Sequence, residues 1–336
     1  MTLILAIESS CDETACAVVK DGKEILSNIV SSQINVHTLY GGVVPEVASR
    51  IHVENISTVI TEALEQATVT MDDIDAIAYT KGPGLIGSLH VGVQAAKTLA
   101  WVYHKPLLPI NHMTGHIYAN AFVSELQFPL MALVVSGGHT ELVWMKNDWN
   151  FEVIGTTQDD AIGEAYDKVA RVLGLGYPGG PVVDKLAKNG KPHYSLPTPK
   201  TSDPYNFSFS GLKTAVLQLK EREERKGNVV SPEDLVYAFQ ETALTTMVSK
   251  TIAAVKEYKP KMIVLAGGVA ANSRLREMMK EEMSKVEGTE LLIPPMWCCT
   301  DNAAMIGASG QIAYNHKCFG DLDAAADPNM LMPGEK

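Results

Sequence analysis

One arrangement occurs twice along the chain and restricts its fold more than any other feature. Residues 3–7 read as a buried strand, Glu8-Ser9-Ser10-Cys11-Asp12-Glu13-Thr14 as a polar turn, and 15–19 and 24–34 as two further strands joined at the hairpin signal Asp21-Gly22. A helical stretch over 47–67 follows, with Val47, Ile51, Ile56, Val59, Ile60 and Leu64 on one face. Later, 130–135 reads as a strand, Ser136-Gly137-Gly138-His139-Thr140 as a polar turn, 141–146 and 151–154 as strands, and 163–173 and 182–188 as helices. Two copies of strand–turn–strand–strand–helix predict an internally duplicated α/β chain.

The remaining stretches fit around that repeat. A strand over 74–79 leads through Lys81-Gly82-Pro83-Gly84 to a helix over 88–103. Residues 189–210 are polar and proline-rich and read as a long functional loop. A charged helix over 212–226 follows, and Ser231-Pro232-Glu233 is a helix start, with a cap, a first-turn proline and an acid at the positive end. A strand over 262–266, a helix over 273–285 and a short strand over 291–293 precede Thr300-Asp301-Asn302, which caps a last helix to about 315. At 336 residues the length suits two domains. We expect a first lobe over 1–125, a second over 126–315 with inserted helices and a loop, and a tail over 316–336 with little to bury.

Charge and composition exclude some functions. The net charge of -11 argues against broad, nonspecific nucleic-acid binding. A local cluster such as Lys168, Arg171, Lys185, Lys188, Lys191 and Lys200, or a partner surface, is then needed to meet a polyanion. No apolar run approaches the ~18 residues of a membrane span. The opening apolar run is too short for a signal peptide, and the five cysteines match no zinc spacing, so a reduced, cytoplasmic protein is expected.

Three groups of residues carry candidate chemistry. In Asn111-His112-Met113-Thr114-Gly115-His116, a helix opening near Asn111 places two imidazoles four apart on one face. With Asp301 they make a two-histidine, one-carboxylate set, which suits iron(II) and also admits zinc. Alone, the pair reads as readily as ordinary histidines, and Asp301 as a helix-start acid. Glu8-Ser9-Ser10, Ser136-Gly137-Gly138 and Gly267-Gly268 each follow a buried strand, and backbone amides in such turns can face phosphate oxygens. None matches a Walker or GxGxxG pattern. Asp167 and Asp184 lie beside glycines, Asp184 following Gly179-Gly180, where capping or a hydrogen bond to a substrate hydroxyl are both natural.

Glu8-Ser9-Ser10-Cys11-Asp12-Glu13-Thr14, the Asn-His-x-x-x-His stretch, Val135 to Thr140, Tyr177 to Pro181, Ala266 to Asn272 and Asp301-Asn302-Ala303-Ala304-Met305 together resemble the TsaD family, in order over nearly the whole chain. The resemblance implies the duplicated actin, hexokinase and Hsp70-like (ribonuclease H-like) fold, with two lobes and a central cleft. It implies transfer of threonylcarbamoyl from threonylcarbamoyl-AMP to N6 of the adenosine 3′ of the anticodon, in tRNAs reading codons that begin with A. It implies one divalent metal on His112, His116 and Asp301, with substrate held by Val134, Val135, Ser136, Gly137, Gly138, Asp167, Gly180, Asp184 and Asn272. Archaeal and eukaryotic relatives carry a tyrosine ligand where Val134 stands, so the chain resembles the bacterial branch. Bacterial members work with the paralogue TsaB and the ATPase TsaE, and the helix around 51–64 is the expected TsaB contact. No general base is assigned, although Asp12 and Glu13 are near the first turn.

The competing readings are an actin-fold small-molecule kinase, a nucleotide-binding chaperone-like module and a zinc protease. The histidine pair has no duty in the first two. The protease pattern His-Glu-x-x-His needs a glutamate where Met113 stands. Removing both imidazoles is expected to abolish metal binding with little loss of fold.

Overall fold

The computed structural model describes residues 1–333. Two compact units divide them. The first holds Met1–Leu126, Lys146–Phe151 and the residues from Pro294 onward, and the second holds Gln127–Met145 and Glu152–Ile293.

In the first unit β1 (Leu3–Glu8), β2 (Glu13–Lys20) and β3 (Glu24–Ser32) form an antiparallel meander. The short α1 (Ile34–Thr38), which takes over at the last residue of the expected strand, and the long α2 (Pro45–Ala67) lead to β4 (Ala76–Gly82). Then come α3 (Ile86–Tyr103), β5 (Leu107–Asn111) and α4 (His112–Tyr118). The sheet order is β3-β2-β1-β4-β5, with β4 parallel to β1 and β5 parallel to β4. All six residues of β1 are buried, and their alternation sorts them between two cores. Leu3, Leu5 and Ile7 meet Ile56, Val59 and Ala63 of α2 and Val93, Ala96 and Ala100 of α3. Ile4 and Ala6 belong to the opposite core with Ala15, Ala17 and Val19 of β2.

The second unit repeats the scheme. β6 (Leu130–Val135), β7 (Thr140–Met145) and β8 (Phe151–Thr156) precede α5 (Ile162–Val172), α6 (Gly179–Ala187), α7 (Ser210–Arg225) and α8 (Pro232–Tyr258). β9 (Met262–Ala266), α9 (Ser273–Met283) and β10 (Glu290–Leu292) complete it. The order is β10-β9-β6-β7-β8, with β7 antiparallel to β6, β9 parallel to β6 and β10 parallel to β9. Counted within its own copy, each sheet runs third, second, first, fourth, fifth strand, so the duplication expected from pattern exists as topology. The loop over 189–210 is anchored rather than free. Lys191 N and His193 Nδ1 meet Asp234, and Lys250 Nζ donates to Thr201 Oγ1 and Asn206 O.

The last helix, α10 (Ala303–Asn315), corrects the expected boundary at 315, because it belongs to the first unit. The reason is steric. The inner face of that sheet presents Ala6, Ala17, Val19 and Ala78, and α10 approaches it through glycines. A Cβ on Gly307 would lie 2.5 Å from Val19 Cγ2, and one on Gly310 would lie 2.8 Å from Ala78 Cβ.

Candidate metal centre

β5 ends and α4 begins without an intervening loop, and Asn111 makes that possible. Its Oδ1 accepts from Met113 N at 2.8 Å and Thr114 N at 3.4 Å, capping the helix. His112 and His116 then share one face, their ring centroids 4.7 Å apart, and every residue of α4 is buried. Asp301 arrives from the start of α10. The side chain that caps α10 is Asn302, which accepts from Met305 N at 3.1 Å, rather than Asp301. The aspartate is thereby free to face the histidines. Asp301 Oδ1 lies 3.5 Å from His112 Nε2 and 3.1 Å from His116 Nε2. One ligand atom from each residue lies within 4.8 Å of the others.

The donor set fits a divalent metal. His116 is 1% exposed, its Nδ1 has no hydrogen-bond partner, and its Nε2 faces Asp301 Oδ1 at 3.1 Å. A buried imidazole with one nitrogen unmatched and the other facing a carboxylate carries a desolvation cost that a bound cation offsets. Two imidazoles and a carboxylate are borderline donors that suit first-row metals better than calcium or magnesium.

Glu8, which the sequence reading placed in a phosphate-facing turn, is the missed member of this site. It is 1% exposed. Its Oε2 lies 3.0 Å from His112 Nδ1 and accepts from Thr80 Oγ1 at 2.5 Å. Its Oε1 accepts from Ser10 N at 2.5 Å. The carboxylate holds Nδ1 and so aims Nε2 toward Asp301. Ser9 is likewise committed inside the unit, with its hydroxyl donating to Ser88 O and accepting from Gly92 N. The side chains of Glu8 and Ser9 in the first polar turn are thus committed within the unit, Glu8 to the His112 side of the cluster. The only sequence signal was an acid ending an otherwise apolar buried strand.

The charges are strongly linked. Burial opposes the charged form of Glu8 and of Asp301, but the facing histidines override it and hold both carboxyls below their ordinary range. Burial likewise opposes protonation of His112, yet Glu8 and Asp301 push it well above an ordinary imidazole. Glu13 is pushed up to about 9 by burial, with Asp301 and Asp12 adding to the effect. The sign for metal binding follows. His112 must lose the Nε2 proton to ligate, so binding releases about one proton at neutral pH. Affinity should rise about tenfold per pH unit while the pH lies below the raised His112 value. Zinc calorimetry in two buffers of different ionisation enthalpy counts the proton, and a count of zero contradicts the assignment.

The second unit holds the other predicted residues. Val134 and Val135 are fully buried in β6, opposite Glu141 and Thr140 of β7. Ser136 N donates to His139 O and Ser136 Oγ accepts from His139 N, closing the turn that carries Gly137 and Gly138. Gly163 of α5 packs under it, since a Cβ there would lie 2.6 Å from Ser136 O. Asp167 Oδ1 accepts from Gly179 N at 2.7 Å, tying α5 to the start of α6, where Gly180 lies. Asp184 accepts from Ser273 N and Ser273 Oγ. Asn272 caps α9 through Leu275 N and donates to Gln240 Oε1 and Tyr166 Oη. Burial raises the Asp167 carboxyl in spite of the Gly179 amide. A Cβ on Gly137, Gly138, Gly180 or Gly268 would meet nothing within 4 Å. Internal packing does not demand glycine at these positions. Of the six candidate cations for a polyanion, Lys168 is already committed, lying 2.7 Å from Asp160 and 2.8 Å from Glu164.

The chain is similar to known proteins over nearly its whole length. Residues 24–308 match the family TsaD, described as tRNA N6-adenosine threonylcarbamoyltransferase. A Bacillus cereus protein of that name is 54% identical over 330 residues, covering 98% of this chain and 96% of its own length. One from Bacillus subtilis is 55% identical over 328 residues, covering 97% and 95%. Among solved structures, HypF of T. kodakarensis superimposes with a TM-score of 0.65 at 14% identity, over 94% of this chain and 48% of that one. The Thermus thermophilus ROK hexokinase gives 0.50 at 14% identity, over 94% and 100%. At that identity the two structures speak for the duplicated actin- and hexokinase-like fold alone.

Proposed function

The chain belongs to the TsaD family, the tRNA N6-adenosine threonylcarbamoyltransferases, and from that membership we infer an acyltransferase that modifies tRNA at N6 of adenosine. The observation that carries this is 54% identity across 98% of the chain. The acceptor is the adenosine 3′ of the anticodon in tRNAs reading codons that begin with A, and the donor is threonylcarbamoyl-AMP. N6 attacks the carbamoyl carbon, the bond from that carbon to the phosphate oxygen breaks, AMP departs, and the N6 proton leaves to a base that we do not assign.

His112, His116 and Asp301 hold one divalent metal in this reading, with iron(II) assigned and zinc as the alternative the donors also admit. When bound, the metal supplies Lewis-acid polarisation of the acyl oxygen. The residues of the chain do the rest. Backbone amides of Ser136, Gly137 and Gly138 bind the adenylate phosphate, Gly180 allows its close approach, and Asp167, Asp184 and Asn272 fix the rim that orients it. Replacing Gly137 by Val tests this directly. A Cβ at this position meets no protein atom within 4 Å. Adenylate affinity should then fall about tenfold or more, since the branch stands where backbone must approach, while the melting temperature holds. Unchanged affinity by calorimetry removes Gly137 from the site.

Partners follow from charge and from one apolar groove. At a net charge of -11 the summed field opposes tRNA. Family membership is what suggests TsaB-like and TsaE-like partners, and other subunits would then supply surface that meets the tRNA. Val53, Ile56, Ile60, Val91, Ala95 and Leu99 line a groove of about 540 Å³ along α2 and α3, and Val53 is 64% exposed. An apolar strip on paired helices suits a helix face of the TsaB-like paralogue. Among the described residues no helix is long and apolar enough to cross a membrane, and we place the chain in the cytoplasm with its tRNA. The test is reconstitution with purified adenylate and tRNA, with and without the two partners. The full mixture should turn over repeatedly and the isolated chain should not. Repeated turnover by the chain alone overturns the partner assignment, and no product from the full mixture overturns the reaction.

A further inference from the structure

The stretch after Phe319, expected to have little to bury, lies against the elements that carry the metal centre. Gly320 N donates to Leu107 O at the start of β5 at 2.9 Å. Asp327 N donates to Lys81 O at 2.9 Å, and Gly84 N donates to Pro328 O at 3.2 Å. Asn111 Nδ2 donates to Met330 O at 3.0 Å, and Met332 is 3% exposed. The approach is close enough that a Cβ on Gly82 would lie 1.7 Å from Asp327 O and 2.9 Å from Met330 Cβ. The other side of that loop rests on Ser10, since Leu85 N donates to Ser10 O and a Cβ on Gly84 would lie 2.6 Å from the same oxygen. Ser10 in turn donates its backbone N–H to Glu8 and has its hydroxyl 3.2 Å from His112 Nδ1.

We propose that residues 327–332 form a strap that positions the metal-binding helix α4, acting through Asn111 and through the loop over 81–84. The proposal rests on the metal reading of His112, His116 and Asp301. α4 has seven residues, too few to hold a helix by its own hydrogen bonds. Its start depends on Asn111, whose oxygen caps the first turn while its nitrogen is held by the strap. His112 is the next residue. With the strap displaced, Asn111 loses its anchor, the first turn frays, and the two imidazoles lose their common alignment. Asn111 is thus a positioning residue, and the strap contributes backbone carbonyls rather than side chains. Coupling of this kind is reciprocal, so metal binding also holds the strap closed.

Two full-length variants separate the strap from the fold. Gly82→Ala pushes Asp327 away, and the φ of Gly82 is not in the left-handed region, so alanine suits its backbone. Asn111→Ser keeps a helix cap but is too short to reach Met330 O. Zinc titration against a chromophoric chelator should show each variant binding about 10–100-fold more weakly than wild type. The double variant should lose less than the product of the two single effects, because both act through one element. Hydrogen exchange of residues 327–332 should slow when zinc is added to wild type and not when it is added to either variant. Wild-type zinc affinity in Asn111→Ser, or exchange of the strap unaffected by zinc, overturns the strap while leaving the metal site standing. A wild-type chain that binds no zinc, iron(II) or cobalt(II) removes the metal reading and the strap with it.

Discussion

His116→Ala should strip the protein of metal and leave its fold intact, whereas His112→Ala should cost both metal and stability. The two ligands sit four residues apart on one helix, but their surroundings differ. His116 Nδ1 has no hydrogen-bond partner and Nε2 faces Asp301 at 3.1 Å, so removing the ring leaves no protein group newly unmatched apart from Asp301, which is a quarter exposed. His112 neutralises Glu8, which is buried on every side. Deleting one partner of a buried charge pair costs about 3–5 kcal/mol, because the other charge remains without compensation. Bound iron or zinc should fall from about one per chain to below about a tenth in either variant, following the loss of one of three donors. The melting temperature should drop sharply only in His112→Ala. The sequence-based expectation that both imidazoles are removable with little loss of fold therefore does not extend to His112. Elemental analysis and thermal unfolding of the two purified variants decide the matter, and full metal retention in His116→Ala contradicts the ligand assignment.

Glu8→Gln should weaken metal binding about 10–100-fold without unfolding the protein, the usual effect of removing the partner that orients a ligating histidine. Two consequences of the change oppose each other. Losing the carboxylate makes His112 easier to deprotonate, which favours metal at neutral pH. It also misaligns the pair whichever way the amide sits: its nitrogen either faces Nδ1 in place of the acceptor, or faces the Ser10 N–H, donor against donor, where 2.5 Å now separates the two atoms. Orientation wins, because the gain in deprotonation disappears at alkaline pH while the misalignment persists. Zinc affinities compared at alkaline pH isolate that term. Equal affinities there would return Glu8 to a purely structural place in the β1 turn.

The legible part of this site was the part written locally. His112 and His116 share a helix face by spacing alone, and the Ser231 cap and the buried strand over 262–266 could be read from neighbouring residues. The two sheets were legible because a duplicated order leaves a duplicated pattern. What the sequence hid depends on contacts between distant segments. Glu8 and His112 are 104 positions apart. The choice of Asn302 over Asp301 as the cap of α10 turns on one side-chain rotation. The strap is held by backbone carbonyls, which no residue type announces. The move of α10 into the first unit follows from small side chains on a sheet face, a match visible only once the strands are paired.

The central claim is the reaction itself, and modified-nucleoside analysis of tRNA tests it most directly. Cells depleted of this protein should lose threonylcarbamoyladenosine from tRNAs that read codons beginning with A. A copy of the wild-type chain should restore it, and the His116→Ala copy should not. Undiminished threonylcarbamoyladenosine after depletion would contradict the account.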